Sequence, residues 1–399
     1  MQSDPPFPTL GSFDHRPHTR LVFGPGKVDQ IGKLAAELGP RRVLVVTDRG
    51  IVSAGHAQRV EHALQAAGLG TVVFDQVREN PTSRDVEACL AVARAAAVDL
   101  IVGLGGGSSM DTAKGCNFLL TNGGQMQDYW GVGKAKKPLL PLIAIPTTAG
   151  TGSECQSAAL IVDEQTHQKM ACLDPKAAAR VALLDPQLTL SQPPRVTVCT
   201  GIDAIAHAVE TAVTKKRNPI SAMYSHEAFK LTMSGFARVL KDPLDLEARG
   251  RMLLGAAYAG LAIESSMLGA AHSAANPLTA HFDIVHGQAV GMMLPAVVSF
   301  NARDPAVLRA YAELAGALGP DGAGDGPPAS GDALDSRLNG LLNLAGFPRS
   351  LADCSVPRSA IPMLADEAAR QWTAAFNPRK VAAPDFVKLY ETAFEPRAE

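Results

Sequence analysis

Two short stretches carry side chains of the kind that hold a transition metal. "GIDAIAHAVE" (residues 201–210) has a helical pattern, with Asp203 and His207 four residues apart. At 3.6 residues per turn, that spacing puts a carboxylate and an imidazole on one helix face. An ordinary surface Asp–His pair has the same spacing. Further along, "AHSAANPLTAHFDIVHG" (271–287) carries His272, His281 and His286, with Asn276 four residues after His272. His272 lies among small apolar residues, where a lone histidine is more often a hydrogen-bonded core residue. His286 precedes Gly287 and a new apolar helix, "QAVGMMLPAVV". One carboxylate and three neutral imidazoles would suit Fe²⁺ or Zn²⁺ and leave room for a substrate oxygen.

A second chemistry is suggested nearer the N-terminus. "GLGGGSSMDTAKG" (103–115) follows an apolar run and opens a helix. Glycines there let the backbone approach a phosphate, and the N–H groups of the helix start face it. A tight strand-to-helix turn also uses glycines. The pattern is not GxGxxG, because Ser108 stands where the third glycine would be. Asp48 ends an earlier run, "VLVVTD". If that strand lies beside the glycine loop, Asp48 could bond a ribose 2′-hydroxyl and repel a 2′-phosphate; otherwise it reads as a helix N-cap or turn residue. "IPTTAGTGSE" (145–154) offers hydroxyls on Thr147, Thr148 and Thr151, although threonines are also common turn residues.

The elements that must position these groups fall into two kinds. Apolar runs at 41–48, 71–75, 98–107 and 139–148 read as strands, and 83–97 reads as a helix. Strands alternating with helices imply a parallel sheet with helices on both faces. Further strand-like pieces lie at 158–163 and 180–186. Beyond Pro186, helical patterns rich in Ala, Leu and Met dominate, so the domain boundary is placed near residues 185–194. "GPDGAGDGPPASGDA" (319–333) reads as a surface loop.

Bulk composition narrows the class. A chain of 399 residues is long for one core and suggests two or three domains. A net charge of −2 and an aromatic share of 5% argue against nucleic acid and anionic membrane partners. The first twenty residues lack the apolar core of a signal peptide, and no apolar run approaches the ~20 residues of a membrane helix. Six cysteines without a CxxC pair fit a reducing compartment. These features read as a cytoplasmic protein.

With these residues in hand, the sequence resembles the iron-containing (group III) alcohol dehydrogenases. The motifs that carry the likeness are "GGGSSMDTAK", "PTTAGTGSE", "GIDAIAHAVE" and "HSAANPLTAHFDIVHG", with "FGPG", "ENPT" (79–82) and "NPR" (377–379). They stand in the family's order across residues 21 to 390. The resemblance implies an α/β dinucleotide-binding domain with a parallel sheet (1–188) and an all-α metal-binding domain (189–399), the architecture shared with dehydroquinate synthase. It implies metal ligation by Asp203, His207, His272 and His286, with Fe²⁺ the expected ion and Zn²⁺ an alternative. His281 is then a loop or cleft-wall histidine outside the ligand set, with lining of the substrate site as the alternative. It implies pyrophosphate contacts at Gly106, Gly107 and Ser108, with Asp111 nearby. It also implies cofactor contacts at Asn80, Thr147, Thr148, Thr151 and Lys169, and Asp48 favouring NAD over NADP.

The implied activity is reversible hydride transfer between a primary alcohol and NAD⁺. The partner is a small alcohol or aldehyde, and the assembly a homo-oligomer, dimer or larger. A glycerol dehydrogenase-like polyol oxidoreductase and a non-catalytic NAD- or metal-binding protein are the alternatives. Two positions depart from many relatives. Asn276 replaces a histidine that is a candidate proton relay, and asparagine does not titrate. Ile263 stands where several relatives place a substrate-facing phenylalanine.

Overall fold

A computed structural model of the chain describes residues 13–166, 168–316 and 331–395. The described residues divide into two compact units, one of residues 16–192 and one of residues 13–15 with those from 193 on. The strands of the first unit are β1 (Arg20–Phe23), β2 (Arg42–Val46), β3 (Gly70–Phe74), β4 (Leu100–Gly105), β5 (Gly131–Val132), β6 (Leu142–Pro146), β7 (Ala158–Val162), β8 (Lys169–Leu173) and β9 (Val181–Leu184). Its helices are α1 (Ile31–Ala36), α2 (Arg49–Ser53), α3 (His56–Ala66), α4 (Ser83–Ala96) and α5 (Gly107–Asn122).

Six strands form a parallel sheet in the order β1-β9-β6-β4-β2-β3. Side chains alternate across it, as the two-residue period of a strand requires. Val43 and Val45 of β2, Val102 of β4 and Ile143 of β6 pack on one face against Leu34, Val60 and Leu64 of α1 and α3. Leu44, Val46, Ile101 and Ala144 pack on the other against Val86 and Cys89 of α4 and Met110 and Ala113 of α5. Both faces are therefore covered, and the strands are continuous apolar runs, as expected for a parallel sheet.

Four strands differ from the sequence reading. The run at 158–163 is a strand, but β7 leaves the main sheet and pairs antiparallel with β8 in a second sheet of order β5-β8-β7. The sequence reading expects neither β5 nor β8. Nor does it expect β1, whose four residues form a partly exposed edge strand with little alternation to read. The "FGPG" motif follows β1, and buried Asp185 after β9 accepts the N–H groups of Gly26 and Val28 at 3.1 and 3.0 Å.

Lys114 is fully buried on α5. Its ammonium donates to Ser153 O and Oγ, Gln156 O and Ala158 O at 2.7 to 3.0 Å. A buried cation is tolerated only when paired and hydrogen-bonded, and here it fastens the segment after β6 to α5.

In the second unit the helices are α6 (Pro194–Thr211), α7 (Pro219–Lys241), α8 (Leu246–Ser265), α9 (Ala270–Phe282), α10 (His286–Asn301), α11 (Pro305–Gly316), α12 (Gly331–Leu344), α13 (Ile361–Arg370) and α14 (Ala383–Phe394). No strand occurs there among the described residues. The expected surface loop at 319–333 lies outside the described residues as far as 330, and α12 begins at Gly331. Among the described residues, no single helix is long and apolar enough to cross a membrane.

Lys114→Met would leave its oxygen acceptors without a donor, at about 1–3 kcal/mol for each buried group left unsatisfied. A marked fall in the urea midpoint, followed by circular dichroism, is expected; a midpoint equal to the parent's would show that the buried cation contributes nothing.

Candidate functional site

Helix α6 places Asp203, His207 and Glu210 at i, i+4 and i+7, on one face. All three are no more than 4% exposed, so the Asp203–His207 pair is interior and not a surface pair. His272 is the third residue of α9 and His286 the first of α10. Both helices thus bring their first turns to α6. Oδ1 of Asp203 lies 3.5 Å from Nε2 of His207, 3.4 Å from Nε2 of His272 and 4.0 Å from Nε2 of His286. The rings of His207 and His272 stack at 4.8 Å between centroids.

Neither Oδ1 of Asp203 nor Nε2 of His272 has a hydrogen-bond partner. Buried polar atoms of that kind call for an explanation, and an ion is one. Ligand atoms about 2.1 Å from a tetrahedral ion stand roughly 3.4 Å from one another, close to the separations here. Asp203, His207 and His272 form a buried group able to hold a metal ion. The His286 side chain is 33% exposed, so the cluster opens on its side. Burial alone would raise the pKa of Asp203, but the nearby imidazoles of His207, His272 and His286 hold it well below the carboxylate range. Burial opposes a proton on His272, yet Glu210 and Asp203 bring its pKa up to about 9.

Close packing sets this geometry. A Cβ on Gly287 would overlap the carbonyl oxygen of Cys199 and stand 3.3 Å from Cβ of Asp203. Only glycine lets the first turn of α10 rest on the α6 backbone. Sequence reasoning did not single out Glu210, whose carboxylate bonds Nδ1 of His272 and the N–H of Ala271. Its signal was the i+7 spacing from Asp203. Met267, between α8 and α9, holds φ of 146°, a conformation that costs on the order of 1–3 kcal/mol in a non-glycine residue. Ile263 is buried near the end of α8.

The other two polar residues of the 271–287 stretch point elsewhere. Asn276 donates from Nδ2 to Oε1 of Gln371 at 3.0 Å. His281 is in the last turn of α9, not in a loop, and pairs with Glu367 of α13 at 2.9 Å.

In the first unit Asp48, Gly106, Gly107, Ser108, Thr147, Thr148 and Thr151 follow the ends of β2, β4 and β6, whereas Asn80 follows β3 and Lys169 opens β8. β2 does lie beside β4. Asp48 caps α2 through Oδ1, which accepts from Ile51 N at 3.0 Å, while Oδ2 lies 3.5 Å from the place of a Cβ on Gly105. Both expected roles are therefore open to one carboxylate. The Thr147 N–H reaches Gly105 O at 2.9 Å. Thr148 lies against Gly106, and Thr151 is so close to Gly107 that a Cβ there would stand 2.9 Å from Thr151 Cγ2. The two polar loops form one surface at the start of α5, which Gly106 caps without a side-chain bond and whose first turn, including Ser108, holds no acid. Lys169 Nζ donates to Asn80 Oδ1 at 3.3 Å. Asp111 accepts from Ser153 Oγ at 3.3 Å.

Two carboxyls here are pushed up by burial. Asp111 reaches about 6, with Lys114 and Lys169 opposing the rise. Glu154 reaches about 7, against its own backbone N–H and Lys114.

A buried Asp–His cluster able to hold a metal ion, and a glycine-rich helix start at the end of a parallel sheet, are features of metal-dependent dinucleotide oxidoreductases. Comparison with known proteins agrees. Residues 18–186 match the family model of iron-containing alcohol dehydrogenase, and residues 197–394 match the C-terminal domain of the same family. The chain is 32% identical to the NAD-dependent methanol dehydrogenase of Bacillus methanolicus over 372 residues, covering 93% of this chain and 97% of that protein. It is 30% identical to the 1,3-propanediol dehydrogenase of Klebsiella pneumoniae, covering 96% and 99%. The solved alcohol dehydrogenase from Oenococcus oeni superposes with a TM-score of 0.90 at 30% identity, covering 96% of this chain and 100% of that one. The chain belongs to the iron-containing alcohol dehydrogenase family, a family of oxidoreductases.

Gly287→Ala should separate His286 from Asp203 and weaken metal uptake at least tenfold while the far-ultraviolet circular dichroism stays that of the parent. Undiminished metal content would show that the close approach is not required.

A pH-dependent stability follows from Glu154. Its folded pKa of about 7 lies above the ordinary 4.5, so the folded chain holds a proton that the unfolded chain has released. The penalty for ionising it is absent below pH 4.5, grows through the window, and is complete above about pH 7, with Asp111 adding a cost of the same sign. Glu154→Gln should gain up to about 3 kcal/mol over the parent at pH 8 and nothing at pH 4.5. Urea midpoints at the two pH values measure it, and an equal change at both would contradict it.

Proposed function

We propose that this protein is an NAD-dependent, divalent-metal-dependent alcohol dehydrogenase that interconverts a primary alcohol and its aldehyde. The observation that carries the proposal is Oδ1 of Asp203 with three imidazole nitrogens within 4.0 Å. In this reading Asp203, His207, His272 and His286 hold the ion, Fe²⁺ by family and Zn²⁺ by equal suitability of the ligands. When bound, the ion supplies Lewis acidity toward the substrate oxygen and the nicotinamide accepts or donates the hydride.

The chain's own groups do the rest. The N–H groups at the start of α5, from Gly106 to Ser108, bind the pyrophosphate, with no acid in that turn to repel it. Thr147, Thr148 and Thr151 line the same surface, and Asn80, Asp111 and Lys169 complete the cofactor contacts. Oδ2 of Asp48, beside Gly105, takes a ribose hydroxyl and disfavours a 2′-phosphate, which selects NAD over NADP. Asn276 has no proton to give at working pH, so the proton travels by water and cofactor hydroxyls.

The names of the relatives, a methanol dehydrogenase and a 1,3-propanediol dehydrogenase, support short primary alcohols and diols as substrates. Neither nucleic acid nor membrane is a partner in this reading, and the chain assembles with copies of itself into a dimer or larger homo-oligomer. Its place is the cytoplasm, a reading supported by six cysteines all in the free form.

Metal analysis of anaerobically purified protein, combined with NADH formation from a panel of short alcohols, tests the proposal. The parent should carry about one ion per chain. His272→Ala should lose metal and turnover together, and full NAD-linked activity in a metal-free His272→Ala protein would overturn the assignment.

A further inference from the structure

Both carboxylate oxygens of Glu210 are engaged inside the second unit. Oε1 accepts the N–H of Ala271 at 2.7 Å, and Oε2 faces Nδ1 of His272 within hydrogen-bonding distance. Gly269, the residue before α9, provides no side-chain cap. Glu210 therefore caps α9 and grips the histidine in its first turn with one group. Asn377 completes the hold. Its Oδ1 accepts the Ala270 N–H at 3.3 Å, and its side chain exchanges hydrogen bonds of 2.8 and 3.1 Å with Asn301, the last residue of the helix that begins at His286.

We infer that Glu210 is the positioning residue that fixes His272 in the tautomer with its proton on Nδ1, leaving Nε2 as a lone-pair donor directed at Oδ1 of Asp203. The inference rests on the metal site proposed above. A carboxylate accepts and does not donate, so the nitrogen facing it carries the hydrogen. In a neutral imidazole the other nitrogen is then bare, and a bare nitrogen is what an ion requires. The approach of Nε2 to Oδ1 of Asp203 at 3.4 Å puts that lone pair in the cluster.

The geometry makes Glu210→Gln a specific probe. The Ala271 N–H needs an acceptor, so the amide oxygen takes the place of Oε1 and the NH₂ group faces His272. An NH₂ group facing Nδ1 requires a lone pair there, which moves the imidazole proton to Nε2. The substitution keeps size, helix cap and burial but inverts the tautomer.

Competition between the purified chain and a chromophoric chelator for Zn²⁺ or Co²⁺ reads the affinity, and thermal unfolding of the metal-free protein reads the fold. Glu210→Gln should bind ~10–100-fold more weakly, with altered Co²⁺ d–d bands and a metal-free melting temperature near the parent's. Glu210→Asp keeps an acceptor-only group and should bind more tightly than His272→Ala. A parent that binds the ion with a Gln variant that binds it equally well overturns this inference alone; a parent that binds no ion overturns the metal reading beneath it. If the Gln variant does not fold, the Asp variant decides, and binding no better than His272→Ala overturns the inference.

Discussion

A single carboxylate oxygen, Oδ1 of Asp203, is buried with three imidazole nitrogens around it, and the cluster opens only on the side of His286. A buried carboxylate is costly unless compensated, and the helical unit is arranged to compensate it. His272 and His286 occupy the first turns of α9 and α10. Helix starts carry partial positive charge, so two of them converge on Asp203 and Glu210. Such convergence demands that backbones come close. Gly287 lies against the carbonyl of Cys199, and Gly269 lies against Glu210 and Asn377. The small residues of the 269–287 stretch are thus consequences of a charge that must be surrounded.

The two units use helix starts in opposite ways. At α9 the N–H groups of Ala270 and Ala271 are taken by Asn377 and Glu210, which closes that end to any ligand. At α5 the cap is Gly106, with no side-chain bond and no acid in the first turn, which leaves N–H groups for an anion. The cost of that open end is met by its surroundings. Thr148 and Thr151 press on Gly106 and Gly107, and Lys114 ties the threonine loop's far side to α5 through Ser153, Gln156 and Ala158. A helix start left without a side-chain cap is thus braced by a buried cation two turns further along the same helix.

What could be read from sequence followed local periodicity. The parallel sheet came from alternating apolar runs and helices, and the shared helix face of Asp203 and His207 came from the four-residue interval. Glu210 had the same face by the same arithmetic, but a glutamate at the end of a helical motif carries no local sign that its partner lies sixty-two residues on. Lys114 was invisible for a similar reason. Lysines are almost always exposed, and only the tertiary fold brings four oxygens to its ammonium. β1 and β8 escaped because short strands lack a readable alternation. The "NPR" motif was seen as a signature, yet its work is structural: Asn377 joins the start of α9 to the end of α10, and Arg379 stacks on Phe300 at 4.1 Å. Asp48 reads from sequence as either an N-cap or a ribose ligand; the structure shows the N-cap through Oδ1, and Oδ2 takes no part in it.

The far part of α9 bears on the movement of protons. Asn276 and His281 lie one turn and about two and a half turns beyond His272, and each is tied to the α13 region, to Gln371 and Glu367 respectively. The His281–Glu367 pair is partly exposed, so it is a weak and screened link. The Asn276–Gln371 contact joins two neutral amides, and its strength does not change with pH. A histidine at 276 could still donate to the Gln371 oxygen, so the helix contact does not require asparagine. What asparagine removes is a titrating group one turn from His272, a ring that lies between the carboxylates of Asp203 and Glu210. Asparagine thus keeps the helix contact while leaving one ionisable group fewer beside the buried Asp203–His207–His272 cluster.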